Sequence, residues 1–254
     1  IGLYEWVAGA PVKQPGPAEV ETACAFVEDL WRFRYRAGAE QFGEASAACL
    51  CPGSIEAQVD GRLQALAASK HLFPELAAFL DGPFADLRAA VLEFTVPFRR
   101  DDLYDIPISR ERQTLSPSDF GFHNALVRTD GQLCFLDHEY FGWDDPTKLI
   151  CDFLWHPGMD LDSALKDQWV ARCMDIFRDD ADLARRIEVS WPLYGLRWIM
   201  IVLNEFHKQG WQRRVHARPD SADDQISIRA GQLIKAEALL MYLNENMRGC
   251  PYGG

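Results

Sequence analysis

Paired cysteines are missing from this chain. Its seven, Cys24, Cys49, Cys51, Cys134, Cys151, Cys173 and Cys250, are odd in number and scattered, with no Cys-x-x-Cys spacing. Neither a zinc framework nor a disulfide scaffold is indicated, and a reducing cytoplasm fits best. Basic charge is also short: 26 Lys and Arg stand against 38 Asp and Glu, a formal net charge of −12. Such a surface repels phosphate backbones, which argues against nucleic acid as a partner. An acidic cleft would suit a cationic ligand, but surplus carboxylates usually serve solubility. No apolar run reaches membrane-spanning length; the strongest, around Leu196 to Leu203, is interrupted by Arg197. The start, Ile1-Gly2-Leu3-Tyr4-Glu5, has neither an initiator Met nor the layout of a signal peptide. There are no internal repeats or low-complexity segments, and no GxGxxG or GxxxxGK[ST] phosphate loop.

What is present is an ordinary globular composition, 48% hydrophobic over 254 residues, enough for a substantial core. Ile1 to Ala8 reads as a short strand, broken by Gly9, Pro11, Pro15 and Pro17. From Ala18 to Arg36, Val20, Cys24, Val27, Leu30 and Trp31 recur at helical spacing. Ser54 is placed to cap a second helix with Ile55, Val59, Leu63 and Leu66 on one face. A third helix is predicted over Phe84 to Phe94, and Val96 to Thr114 reads as a long loop. Ala125 to Arg128 and Leu133 to Asp137 flank Thr129-Asp130-Gly131, a hairpin signal. Beyond Pro146, helices are predicted at 163–178, 182–189, 192–208 and 220–247. Pro192 would open one of them, and Asp220-Ser221 would cap the last, with Ile226, Leu233, Leu240 and Leu243 inward. The fold class is thus mainly α with a small β-hairpin (α+β).

The chemistry lies in Ser116-Pro117-Ser118-Asp119-Phe120-Gly121-Phe122-His123-Asn124, the hairpin, then Asp137-His138-Glu139. An Asp and an Asn five residues apart on one loop can converge on a point, and a second Asp can meet them from the next strand. Phosphoryl transfer needs such a set: one carboxylate orients the attacking hydroxyl, while an amide and another carboxylate hold magnesium. Hard oxygen ligands suit magnesium, and no zinc-type nitrogen or sulfur set is evident.

Asp119-x4-Asn124, an Asp-Gly hairpin and Phe135-Leu136-Asp137-His138-Glu139 resemble the catalytic and metal-binding segments of aminoglycoside phosphotransferases and choline kinases. There the pattern reads His-Gly-Asp-x4-Asn, then Ile-Asp-Phe/Trp-Glu. Gly142-Trp143-Asp144-Asp145-Pro146 with Asp152-Phe153-Leu154 resembles the family's Gly-Asp-Pro…Asp-Leu-Ala, and Leu3 to Gly9 resembles the hinge that receives adenine. The resemblance implies a protein-kinase-like C-terminal lobe: a hinge at 1–9 and a catalytic lobe at 10–254, without the N-terminal lobe that carries the glycine-rich loop and nucleotide-clamping Lys. It implies ATP and Mg as cofactors and a small-molecule hydroxyl as acceptor, with weak or no transfer expected of this chain without that lobe. Charge and apolar-run length argue against nucleic acid and membrane as partners. Asp119 would be the catalytic base or hydroxyl-orienting carboxylate, and Asn124 and Asp137 the metal ligands. The Glu5 carbonyl and Val7 amide would bind adenine, with Tyr4 lining that pocket. Asp152 would cap the catalytic-loop backbone.

Pro117 and Ser118 replace the family's His-Gly, and His138 replaces its aromatic residue. A degenerate lobe serving as a non-catalytic binding module is the alternative reading. His123 reads as a local packing residue, and Phe120, Phe122, Tyr140, Phe141 and Trp143 as loop-packing aromatics. Glu139 is open between a second metal ion and a salt bridge. Asp160, Asp162, Glu205 and Asp224 read as solvated face residues.

Overall fold

The computed structural model describes residues 6–100, 102–217 and 224–253. Along the chain these form β1 (Gly9–Pro11), α1 (Pro17–Phe33), α2 (Pro52–Ala67), α3 (Pro74–Asp81), α4 (Pro83–Thr95) and the short α5 (Asp102–Asp105). Then follow β2 (Thr114–Ser116), β3 (Ala125–Arg128), β4 (Leu133–Phe135), β5 (Gly142–Asp144), α6 (Pro146–Trp155), α7 (Ser163–Ile176), α8 (Leu183–Val202), α9 (Lys208–Ala217) and α10 (Gln225–Glu245). The protein is mainly helical, with its antiparallel strands in two small sheets, β1-β3-β4 and β2-β5.

Sequence and structure agree on the buried face of α1 and differ at several boundaries and on part of the last helix. Proline opens α1, α2, α3, α4 and α6, where its missing N–H costs nothing. Ser54 sits inside the first turn of α2, beyond the capping position held by Cys51, and its Oγ donates to the Cys51 carbonyl at 2.6 Å. The segment read as a loop from 96 to 114 carries α5 and two 3-10 turns, Phe98–Arg100 and Arg110–Arg112. Gly9 and Pro11 do not end a strand; they are the strand β1, paired with Arg128 and Leu126 of β3. The two helices predicted on either side of Pro192 are one helix, α8. Removing one backbone hydrogen bond there costs roughly 3 kcal/mol, but Trp191, Leu193, Tyr194, Ile199 and Met200 are all fully buried and hold the helix together. Ile226, predicted to face inward on α10, is 88% exposed, while Ala236 and Leu243 are buried. Asp220 and Ser221 lie outside the described residues, as do the first five positions of the strand read at 1–8, whose remaining residues 6–8 are not in a strand.

The chain forms two compact units. The first comprises Ile1–Leu50, Ile108–Ala184 and Pro251–Gly254, and contains both sheets. Its helix α1 buries Val20, Cys24, Val27 and Trp31 and packs against α7, which buries Leu165, Trp169, Val170 and Cys173. An aromatic column crosses this core: Phe26 stacks on Phe120 at 5.3 Å, Phe120 meets Phe153 at 5.9 Å, and Phe153 stacks on Trp169 at 3.8 Å. The β3–β4 hairpin turns at Asp130-Gly131, where Gly131 takes φ +80° and Asp130 Oδ1 accepts from the Gln132 N–H at 3.0 Å. Strand β5 is flanked by β2 on one side and by residues 43–45 on the other, with Trp143 N–H donating to the Gly43 carbonyl at 2.9 Å.

The second unit comprises Cys51–Pro107 and Arg185–Cys250. Around its buried Phe84, Val91, Trp191, Tyr194 and Phe206, ion pairs tie separate segments together. Glu56 accepts from Arg99 and from the Tyr104 hydroxyl, both at 2.7 Å, and Arg197 donates to Gln58 at 2.9 Å. Glu205 accepts from Arg214 at 2.7 Å and Gln232 at 3.1 Å, so this carboxylate serves structure. Among the described residues no helix is long and apolar enough to cross a membrane.

Gly142 marks a steric limit in β5. A Cβ there would lie 2.5 Å from Ala45 N and 2.6 Å from the Gly43 carbonyl oxygen, both backbone atoms that cannot step aside. Gly142→Ala is expected to lower unfolding free energy by about 1–3 kcal/mol. Gly61→Ala, in α2 with open space around the new methyl, should instead raise it by up to ~1 kcal/mol. Denaturant titration of the two variants checks the opposite signs.

Candidate functional site

Between β2 and β3 the chain crosses the edge of the first unit's core as a tight loop. Ser118 adopts φ +68°, a left-handed conformation that costs a non-glycine residue free energy and is held by its surroundings. Its N–H donates to Ser116 Oγ at 3.0 Å and its hydroxyl to the Ser46 carbonyl at 2.9 Å. Phe120 and Phe122 are buried, anchoring the loop from beneath, and the Phe122 N–H donates to Met159 Sδ at 3.1 Å. Their aromatic neighbours Trp143 and Phe141 also pack inward, Trp143 donating to the Ala39 carbonyl at 3.0 Å, whereas Tyr140 is exposed.

With the phenylalanines turned in, Asp119 stands half-buried at the rim. Its Oδ1 lies 3.0 Å from His123 Nε2, and its carbonyl accepts from Asn124 Nδ2 at 3.0 Å. The hydrogen bond from His123 pulls the Asp119 carboxyl below the usual range, outweighing the opposing effect of burial. A lowered carboxylate is a weak base; it is suited to orienting a hydroxyl by accepting its hydrogen bond. The Leu136 N–H donates to the Asn124 carbonyl at 2.8 Å, extending the hairpin by one rung. Asp137 follows directly, exposed, at φ +63°. The hairpin thus places Asp137 one residue beyond the rung to Asn124. Val7 is half-buried just before β1; Tyr4 and Glu5 lie outside the described residues. His138 stacks on Phe26 at 5.9 Å and contacts the Phe135 carbonyl at 3.1 Å, so it packs the hairpin end, and Glu139 is exposed.

A charged triad lies beneath this rim. Asp144, Lys148 and Asp152 are spaced four residues apart and all are buried. Lys148 Nζ is 3.4 Å from Asp144 Oδ2, 3.0 Å from Asp152 Oδ2 and 3.0 Å from Ser118 Oγ. Asp144 Oδ1 accepts from the Cys49 N–H at 3.0 Å and the Asp145 N–H at 2.9 Å. Asp145 caps α6 through the Thr147 N–H at 2.8 Å. The role expected for Asp152 at the loop is therefore exercised through Lys148, whose ammonium reaches the loop at Ser118. Burial pushes the Asp144 carboxyl up to about 6, against the pull of Lys148 and the two N–H donors.

The sequence reading missed His156. It ends α6 and stacks on His123, with ring centroids 3.7 Å apart and planes 8° from parallel. Its Nδ1 accepts from the Gly158 N–H at 3.0 Å. Burial, reinforced by the neighbouring His123, pushes it down to about 4. Asp119, His123 and His156 bring one ligand atom each within 4.8 Å of one another, so a nitrogen-bearing donor set exists that spacing did not disclose. His123 Nδ1 is buried without a hydrogen-bond partner, which costs about 1–3 kcal/mol. Lys148 was missed too, although its i, i+4 spacing to both aspartates was a signal that could have found it; His156 reaches His123 only through tertiary packing.

Asp144 and His156 make opposite demands on pH. Asp144 is raised from 3.8, so its contribution is full below about 4 and fades as pH rises through about 6. His156 is lowered from 6.5, so its contribution is full above about 6.5 and fades as pH falls through about 4. The two slopes nearly cancel across this window. Asp144→Asn should leave a variant that gains stability between pH 4.5 and 6.5, and His156→Gln one that loses it. Denaturant unfolding at both pH values measures the slopes.

No family model matches the chain, and no curated protein matches its sequence. Among solved structures, the chain is similar to a choline/ethanolamine kinase family protein from Mesorhizobium loti, at 14% identity and TM-score 0.45 over 92% of this chain and 67% of that one. It is also similar to an aminoglycoside phosphotransferase from Alicyclobacillus acidocaldarius, at 17% identity and TM-score 0.45 over 95% of this chain and 70% of that one.

Proposed function

We propose that the protein is an ATP- and Mg-dependent phosphotransferase acting on a hydroxyl of a small molecule, of aminoglycoside, amino alcohol or sugar type, in the cytoplasm. The observation that carries this reading is the run of hydrogen bonds linking the segments that bear Asp119, Asn124 and Asp137. His123 favours the charged form of Asp119, the Asn124 side-chain amide donates to the Asp119 carbonyl, and Asp137 follows the rung that joins Asn124 to the hairpin.

In this reading Asp119 accepts the hydrogen bond of the acceptor hydroxyl and aligns its oxygen for in-line attack on the terminal phosphorus. As the bond to phosphorus forms, the bond from phosphorus to the bridging oxygen breaks and ADP leaves, while the hydroxyl proton passes to the carboxylate and then to solvent. Asn124 Oδ1 and the Asp137 carboxylate would hold magnesium, which when bound neutralises the phosphate charge. The donor set fits that ion: one amide oxygen and one exposed carboxylate, both hard. The Glu5 carbonyl, Val7 amide and Tyr4 ring would receive adenine. Lys148 is the scaffold that fixes Ser118 and so sets where Asp119 begins. Most of the rate enhancement in such chemistry comes from positioning and charge stabilisation, which a rigid loop supplies.

Asp119→Asn is expected to lower turnover by about 10²–10⁴-fold with nucleotide affinity nearly unchanged. Asp137→Asn should instead weaken magnesium-ATP binding, because it removes a charge facing the metal. Calorimetry with magnesium-ATP, beside a turnover screen against aminoglycosides, choline-like amines and sugars, separates the two. Equal loss of nucleotide affinity in both variants, with turnover per bound nucleotide intact, would overturn these roles.

A further inference from the structure

His123 does more than fill space. Its Nε2 lies 3.0 Å from Asp119 Oδ1, while its Nδ1 is buried with no hydrogen-bond partner. An imidazole able to turn would seek a partner for that nitrogen, so something holds the ring in place. One face lies against His156, 3.7 Å between centroids. At the edge, Gly121 supplies the necessary room: a Cβ there would sit 2.9 Å from His123 Nδ1 and 2.6 Å from Met159 Sδ. His156 is fixed in turn, because its Nδ1 accepts the Gly158 N–H.

The same cluster resembles a two-histidine, one-carboxylate metal site by inventory, but the directions oppose it. Imidazole lone pairs lie in the ring plane, and planes 8° from parallel send them side by side instead of to one ion. The Gly158 N–H on His156 Nδ1 also places the neutral ring's proton on Nε2, where a ligating lone pair would have to be.

We propose that His123 is a positioning residue for Asp119: its Nε2–H fixes Oδ1, leaving Oδ2 for the acceptor hydroxyl, and His156 clamps the His123 ring against rotation. The role of Oδ2 rests on the phosphotransferase reading; the clamp does not. A carboxylate held at Oδ1 presents Oδ2 to the incoming hydroxyl from a fixed position, which is what near-attack geometry requires. His123 and His156 thereby become part of the machinery although neither touches phosphate.

Nitrogen-15 spectra of the histidine side chains test the clamp without any nucleotide. The expected result is His123 protonated at Nε2 and bare at Nδ1, with this signature retained in His156→Gln, whose planar amide can lie on the ring, and averaged between tautomers in His156→Ala. A His123 proton on Nδ1 would overturn the proposal. So would a cobalt(II) visible spectrum that His156→Ala abolishes, since Nε2 would then be a ligand. Hydrolysis of magnesium-ATP, with water as acceptor, adds a kinetic arm. His123→Ala should lower kcat about 10–100-fold while KM for ATP stays within about twofold, and His123→Gln, which restores a donor at the same reach, should recover most of the loss. Equal loss in the Ala and Gln variants would show that the ring only fills space and would sink the idea. Wild-type turnover that survives Asp119→Asn would count against the phosphotransferase reading alone, leaving the spectra to judge the clamp.

Discussion

The ammonium group of Lys148 is the point on which the site depends. It sits in the interior of the first unit with two carboxylates and the Ser118 hydroxyl around it. A buried cation is tolerable only where opposite charge and hydrogen bonds replace its water, and here both carboxylates come from one turn-spaced row on β5 and α6. The arrangement is worth little as net stability, because desolvation of three charges consumes most of their attraction. Its value is geometric. An ammonium that must satisfy three partners at once fixes the distance between the start of α6 and the loop. Ser118 can then persist in a left-handed conformation, and Asp119 leaves the loop in one direction.

Much of this was legible from residue types. The α1 face, the Asp-Gly turn and the pairing of residues 125–128 with 133–135 follow from periodicity and turn chemistry, and all were recovered. The loop from Ser116 to Asn124 stood out because Asp and Asn at that spacing serve one chemistry better than they serve a turn. Pro192 misled because local propensity cannot see burial: the residues around it gain more from packing in α8 than the proline takes away. Gly9 and Pro11 misled for a related reason, since an edge strand needs few donors and β3 supplies the partner. The loop read between 96 and 114 contains short turns that no periodicity reveals. His156 was invisible for a different reason: its partner is 33 positions away, and nothing local distinguishes a stacked histidine from a solvated one.

Two buried titrating groups on α6 and its approach, Asp144 and His156, are pushed in ways that both favour the neutral form. Burial is the leading cause in each case. Asp119, near them but at the rim, is pushed toward its charged form by the hydrogen bond it receives. Asp119 is thus favoured in its charged form at the rim, while burial behind it works against charge on Asp144 and His156. This polarity is set by depth within the unit and needs no distant field.

The contacts that close this region join residues far apart in the chain. Trp143 reaches Ala39 across 104 positions, and Asp144 reaches Cys49 across 95. Between those partners runs the entire 51–107 segment, which belongs to the other compact unit. During synthesis, α1 must therefore wait for β2 and α7 to emerge before its buried face finds cover. Closing so long a loop carries an entropic cost before any contact rewards it, which slows folding. The apolar row of Val20, Cys24, Val27 and Trp31 stays open to solvent through that delay, a natural place for a chaperone to hold the nascent chain.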